Sequence, residues 1–166
     1  MSVLPILPAQ DPVLRRISSR IRCIDKSIQR ILDDLIESMD AAQGVGLSGP
    51  QVGKPLRLIV VRVDNVLLQI ANPDIVRSIG EEIGDEGCLS LPCYYGSVAR
   101  ASQITFQGLD RNGKKFRRKA AGLLARVIQH EIDHLNGILF TDKLVEGTEL
   151  RFVAPNESFQ GTSASV

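Results

Sequence analysis

Both histidines of the chain fall in the segment Gln129-His130-Glu131-Ile132-Asp133-His134. On a helix, residues four apart stand one above the other on one face. The H-E-x-x-H spacing therefore lets two imidazoles share a metal ion while Glu131 reaches a water beside it. A hydrolytic centre of this kind needs three protein ligands and an open position. The continuation that would put a third histidine at 140 instead has Phe140. The third ligand must then be Cys, Asp or Glu. Glu146 and Glu149 follow His134 closely, in a segment that must first turn back. Cys88, in Asp85-Glu86-Gly87-Cys88-Leu89-Ser90, suits the role better, because Gly87 permits close backbone approach and thiolate favours a soft or borderline cation. Three cysteines are too few, and of the wrong parity, for a disulfide framework, so Cys23 and Cys93 read as ordinary buried thiols.

The elements that must position these residues are legible from periodicity. Ile28, Ile31, Leu32, Leu35, Ile36 and Met39 repeat at helical spacing, which predicts an amphipathic helix over 26–42 with Asp25 as its N-cap and Gly44 as its stop. Residues 122–136 lack proline and internal glycine and carry apolar residues around much of the circumference. This predicts a second, buried helix closed by Gly137. Residues 57–63 and 66–71 read as two strands, Asn72-Pro73 starts a third extended piece through Ile79, and 104–109 with 115–120 flank an Asn112-Gly113 hairpin turn. The expected fold class is α+β, with short antiparallel β-sheets packed around a buried central helix carrying H-E-x-x-H and one additional N-terminal amphipathic helix.

A length of 166 residues suits one domain, taken as 1–154, and the Ser- and Gly-rich stretch 155–166 reads as a loose tail. The longest apolar runs are far short of a membrane span, and the first residues lack the basic flank of a secretory signal, so a cytoplasmic location is expected. With 20 Lys+Arg against 19 Asp+Glu, no global field favours specific nucleic-acid binding or an anionic membrane.

Three segments together resemble the peptide deformylases, whose signatures G-x-G-x-A-A-x-Q, E-G-C-x-S and H-E-x-x-H stand here as Gly44-Val45-Gly46-Leu47-Ser48-Gly49-Pro50-Gln51, Glu86-Gly87-Cys88-Leu89-Ser90 and His130-Glu131-Ile132-Asp133-His134. The resemblance runs from the N-terminus to about Leu144. It implies removal of the N-formyl group from the initiator methionine of nascent polypeptides, with release of formate. It also implies one divalent metal per chain, Fe(II) by preference with zinc or nickel able to substitute, on Cys88, His130 and His134. By the same resemblance Glu131 is the general acid and base, and Gln51 and the Leu89 N–H face the developing oxyanion. Val45, Gly46, Leu89, Leu123 and Val127 hold the substrate, and Glu86, Arg100 and Asp133 support the ligands.

Three departures bear on that reading. Ser48-Gly49-Pro50 replaces the usual Ala-Ala-x, so Gln51 is aimed by a stiffer turn. Tyr95 stands where many bacterial members place an arginine near the substrate backbone. The residues after Leu144 lack the long basic helix that many members use for ribosome docking. The basic run 114–119 reads as the solvated face of an alternating strand, with a ribosomal RNA contact as the alternative. A zincin-like endopeptidase and a non-catalytic metal-stabilised module are the competing functions.

Overall fold

Helix α1 (Lys26–Ala41) starts at Asp25, whose carboxylate accepts the Ser27 and Ile28 N–H groups at 2.9 Å each, satisfying two of the donors a helix start leaves open. The computed structural model describes residues 2–155. Within them, β1 (Gly46–Ser48), β2 (Leu58–Val63), β3 (Val66–Ile79), β6 (Gln103–Leu109) and β7 (Lys115–Ala121) form an antiparallel sheet in the order β1-β2-β3-β6-β7. A second antiparallel sheet has the order β4-β5-β8, from β4 (Glu82–Cys88), β5 (Leu91–Arg100) and β8 (Arg151–Phe152). The expected tail, apart from Pro155, lies outside the described residues.

β2 has apolar residues on both faces, and both are used. Ile59 and Val61, with Ile70, Ile104 and Phe106 of neighbouring strands, pack on Val127, Ile128 and Leu135 of α2 (Gly122–Leu135). Leu58 and Val60, with Ala71, pack on Leu32, Leu35 and Met39 of α1. The other side of α2 meets β4 and β5: Arg126 donates to the carbonyls of Glu82 (2.7 Å), Gly84 (3.4 Å) and Val98 (2.9 Å). The helix carrying the two histidines is thus held between two sheets, and every residue from Ala125 to Leu135 is buried. Gly137 ends the segment at φ 73°, where a Cβ would come within 2.6 Å of the Arg15 carbonyl.

The strand pattern differs from the sequence reading in two places. The pieces read as 66–71 and 72–79 are one strand. Asn72 takes φ 51° inside it and the pairing with β6 slips between Ala71 and Asp74, so Pro73 lies at a bulge, where a ladder donor is not demanded. The β4–β5 hairpin was not anticipated. β4 contains two glycines and three carboxylates, and its stability is tertiary rather than a matter of strand propensity.

Asn72 also braces the N-terminal segment: its Oδ1 accepts the Ile21 N–H and its Nδ2 donates to the Ile21 carbonyl, both at 2.8 Å and buried. Asn72→Gly and Asn72→Ala should each lose about 2–4 kcal/mol by leaving that peptide without partners. Alanine should cost about 1 kcal/mol more, because it resists the left-handed backbone. Urea denaturation of the two variants checks both the size and the order.

Candidate metal centre

α2 turns the two histidines to one side. His130 Nε2 and His134 Nε2 lie 3.2 Å apart, and Cys88 Sγ is 3.4 Å from His134 Nε2. All three side chains are buried and their donor atoms fall within 4.8 Å of one another, a convergence that occurs once among the described residues. His130 Nδ1 is 2.9 Å from Glu86 Oε2. A carboxylate only accepts, so the His130 proton belongs on Nδ1, and Nε2 faces His134 with its lone pair. Burial, with the neighbouring His130 and Arg100, pushes the His134 imidazole well below its usual range and keeps it neutral. Burial pushes the Cys88 thiol up to about 12. Two imidazole nitrogens and a sulfur converge on one point, and a borderline divalent cation fits both the donor set and the spacing.

Glu131, one residue past the first histidine, is fully buried, and neither carboxylate oxygen has a hydrogen-bond partner. Burial raises its carboxyl well above the ordinary range, against the opposing pull of the nearby Ser48 hydroxyl and Arg100, with the charge of Glu86 adding to the rise. A Cβ at Gly46 on β1 would lie 2.5 Å from Glu131 Oε1 and 2.8 Å from Val127 Cγ1. The backbone of β1 therefore runs directly against the acid, and only glycine leaves it room.

Behind the donors lies a buried charge network. Arg100 donates from Nε to Glu86 Oε1 (2.8 Å) and from Nη2 to Glu86 Oε2 (2.9 Å), and its Nη1 binds Asp133. Arg126 adds a bond to Glu86 Oε1 at 3.0 Å, and Lys143 meets Asp133 at 3.0 Å. Burial opposes a charge on Glu86, but Arg100 and the bonded His130 ring hold its carboxyl well below the usual range. Arg126 and Lys143 were missed in the sequence. Arg126 had a signal: it precedes His130 and His134 at steps of four, so one helix face carries all three.

Gln51 is fully buried. Its Oε1 accepts the Ser48 N–H (2.9 Å) and hydroxyl (2.8 Å), which turns its Nε2 toward Cys88 Sγ (3.5 Å) and Ser90 Oγ (3.3 Å). Gly49 is sterically required, because a Cβ there would meet the Lys54 and Leu56 carbonyls at 2.6 and 2.7 Å. Leu89 packs against Gly44 and helps line a cleft of about 230 Å³ beside Cys88, together with Gln43, Cys93, Tyr94 and Tyr95. The Tyr95 ring lies over Gly87, 2.7 Å from where a Cβ would stand. Val45 packs on the α2 side of the core, and Leu123 is half-exposed in the first turn of α2. Glu146 and Glu149 are exposed and stand apart from the donors. The reading of Cys23 and Cys93 as buried thiols is corrected: Cys23 is exposed and Cys93 partly so, because both sit on peripheral segments rather than inward strand positions.

The chain matches the family model described as polypeptide deformylase over residues 3–149. It is 41% identical to a peptide deformylase of Thermomicrobium roseum over 174 residues, covering 99% of each chain. It is 48% identical to one of Halothermothrix orenii over 147 residues, covering 87% of this chain and 96% of the relative. The crystal structure of peptide deformylase from Thermotoga maritima is similar with a TM-score of 0.86 at 34% identity, covering 87% of this chain and 99% of that one.

Removing Arg126 takes one of four bonds from Glu86 and the side-chain donor from the carbonyls of Glu82, Gly84 and Val98. Arg126→Met should therefore lose about 3–5 kcal/mol in urea unfolding and weaken cobalt(II) binding at least ~10-fold. Gly84→Ala should act in the same direction, since its Cβ would stand 3.1 Å from the Arg126 guanidinium. Cobalt(II) should bind the unaltered chain with a thiolate charge-transfer band, and Cys88→Ala should abolish that band.

Proposed function

The chain belongs to the polypeptide deformylase family, and from that premise we propose that Cys88, His130, His134, Glu131, Gln51 and Leu89 form its reaction centre. Members of this family are metal-dependent amide hydrolases, and this chain hydrolyses the N-formyl group of nascent polypeptides, releasing formate. The observation that carries the assignment of residues is the convergence of one sulfur and two imidazole nitrogens beside a buried carboxylate that has no protein partner.

A divalent cation held by Cys88, His130 and His134 would supply a Lewis acid and lower the pKa of a coordinated water from ~15.7 toward ~7. The remaining steps belong to side chains. Glu131 accepts the proton of the attacking water as the bond from its oxygen to the formyl carbon forms, then delivers it to the amine nitrogen as the carbon–nitrogen bond breaks. The products are formate and a free amino terminus. Gln51, clamped through Oε1, presents its NH₂ toward the sulfur, and with the Leu89 N–H it stabilises the charge growing on the formyl oxygen. β1 is an edge strand of its sheet, which supports pairing of an extended substrate along Gly46. Val45, Leu89, Leu123 and Val127, with the His130 ring, wall the methionine side chain.

Glu86, Arg100 and Asp133 orient the ligands from behind. Residues 1–154 act as one metallohydrolase domain. Fe(II) is the proposed metal, with zinc or nickel as substitutes, since thiolate with imidazole accepts all three. Among the described residues no helix is long and apolar enough to cross a membrane. A substrate found on freshly made chains supports action in the cytoplasm beside the ribosome.

Glu131→Gln should keep the metal but release formate from a formyl-methionyl tripeptide at least ~100-fold more slowly under anaerobic conditions. An unchanged rate would remove Glu131 from the reaction. A doubly blocked peptide with internal amides should remain intact, and mid-chain cleavage would point to a peptidase instead.

A further inference from the structure

The five-stranded sheet is covered unevenly. α2 packs across one face, whereas α1 lies over β1 and β2 on the other, where Leu109 at the end of β6 also joins its cluster; the outward residues of β7 on that second face are exposed. β7 is the edge strand, and alternation along it divides its residues. Phe116 and Ala120 pack toward the α2 side, so Lys115, Arg117 and Lys119 stand in one row on the second face, roughly 6.8 Å apart, all exposed. Their neighbours across β6 are Leu109, Gln107 and Thr105, and beyond Gln107 and Thr105 on β3 lie Asp74 and Arg77.

None of Lys115, Arg117 and Lys119 has an ion-pair partner among the described residues. Asp74, the one acid in the adjoining strand rows, is already engaged by Arg20 (3.2 Å) and Arg57 (3.6 Å). Asp110, in the β6–β7 turn, is spent on the Asn112 and Lys114 N–H groups at 2.9 Å each. In a chain with a net charge of +1, this is a concentrated local field that the fold does not neutralise. At the foot of the row is an open pocket of about 390 Å³, lined by Arg20, Gln107, Lys115 and Phe116 among others.

We infer that this face is a sequence-independent docking surface for the sugar–phosphate backbone of RNA. A line of cations at strand spacing matches a polymer with one charge per repeat. Amide and hydroxyl groups beside the line add hydrogen bonds to phosphate and ribose. An anionic membrane is the poorer fit, because the row holds no aromatic or aliphatic side chain to enter an acyl layer. The surface itself is independent of the metal centre. The choice of RNA over DNA rests on the hydrolase reading, since an enzyme of nascent polypeptides works where RNA is abundant.

The test is fluorescence anisotropy of the metal-loaded full chain with a labelled, unstructured single-stranded RNA of mixed sequence across a salt series. Formate release is measured on the same preparations. The K115Q/R117Q/K119Q variant should bind RNA at least ~10-fold more weakly at low salt, and its log–log salt slope should fall by about 2, the share of three phosphate contacts. Its formate release should match that of the unaltered chain. R16Q/R30Q/K54Q, which removes the same charge elsewhere, should keep RNA binding. The inference is overturned if the unaltered chain fails to bind RNA at low salt, or if the two triple variants weaken binding equally. Tighter capture by phosphatidylserine vesicles than by RNA would also overturn it, in favour of a membrane surface. Loss of formate release in the unaltered chain would count against the hydrolase reading alone.

Discussion

Glu86 has no exposed surface, yet its carboxylate is charged. It receives two bonds from Arg100, one from Arg126 and one from the His130 ring. Burying an ion in this way gains little net stability, because desolvation offsets most of the attraction. What it secures is position. The carboxylate is the last residue but one before Cys88 on β4, and His130 is on α2, so one side chain sets the distance between sulfur and imidazole and fixes which ring nitrogen keeps its proton. Arg126 extends the grip to the β4 and β5 backbone, and Gly84 leaves space for its guanidinium. The donor atoms converge because this network admits one arrangement of helix against hairpin.

The environment of Glu131 is the opposite case. One carboxylate is ringed with donors and held below its usual pKa, while the other, 45 positions later in the sequence, has none and is pushed upward. In the proposed reaction the contrast divides the labour between a counter-charge and a proton carrier. β1 supplies the remaining constraint by passing its Gly46 backbone against the acid, so the edge of the five-stranded sheet and the reacting side chain meet without an intervening side chain. The same sheet turns its opposite face, at its other edge, toward solvent with an unneutralised row of cations. Hydrolysis and docking are thereby assigned to separate surfaces of one scaffold.

The helices and the 103–121 hairpin were legible because their signals are local. The i, i+4 recurrence, Asp25 as a cap, and Asn112-Gly113 at a turn act within a few residues. The β4–β5 hairpin carries no such signal. Its residues alternate weakly and include glycines whose reason is distant: Gly84 yields to Arg126, and Gly87 yields to the Tyr95 ring. The continuity of β3 through Asn72-Pro73 was hidden for a related reason, since the left-handed backbone at Asn72 is held by the Ile21 peptide, 51 positions away. In the site, Cys88, His130 and His134 could be nominated from donor type and spacing. Arg126 could be placed on the same helix face as the histidines, but its partners and those of Lys143 could not, because a cation in a sequence does not reveal which buried carboxylate it will meet.

By itself, then, the sequence determined the chemistry available: a sulfur, two imidazoles at one helical repeat, an acid between them, and an amide in a stiff Ser-Gly-Pro-Gln turn. Residue type and short-range periodicity are properties of the chain alone, and they survive any arrangement of the rest. Tertiary structure decided which of these groups face one another, which carboxylate is held below its usual pKa and which is pushed above it, and which cations remain unpaired at the surface. Those are questions of distance and desolvation between residues remote in sequence, and their energies exist only once two sheets have closed on α2.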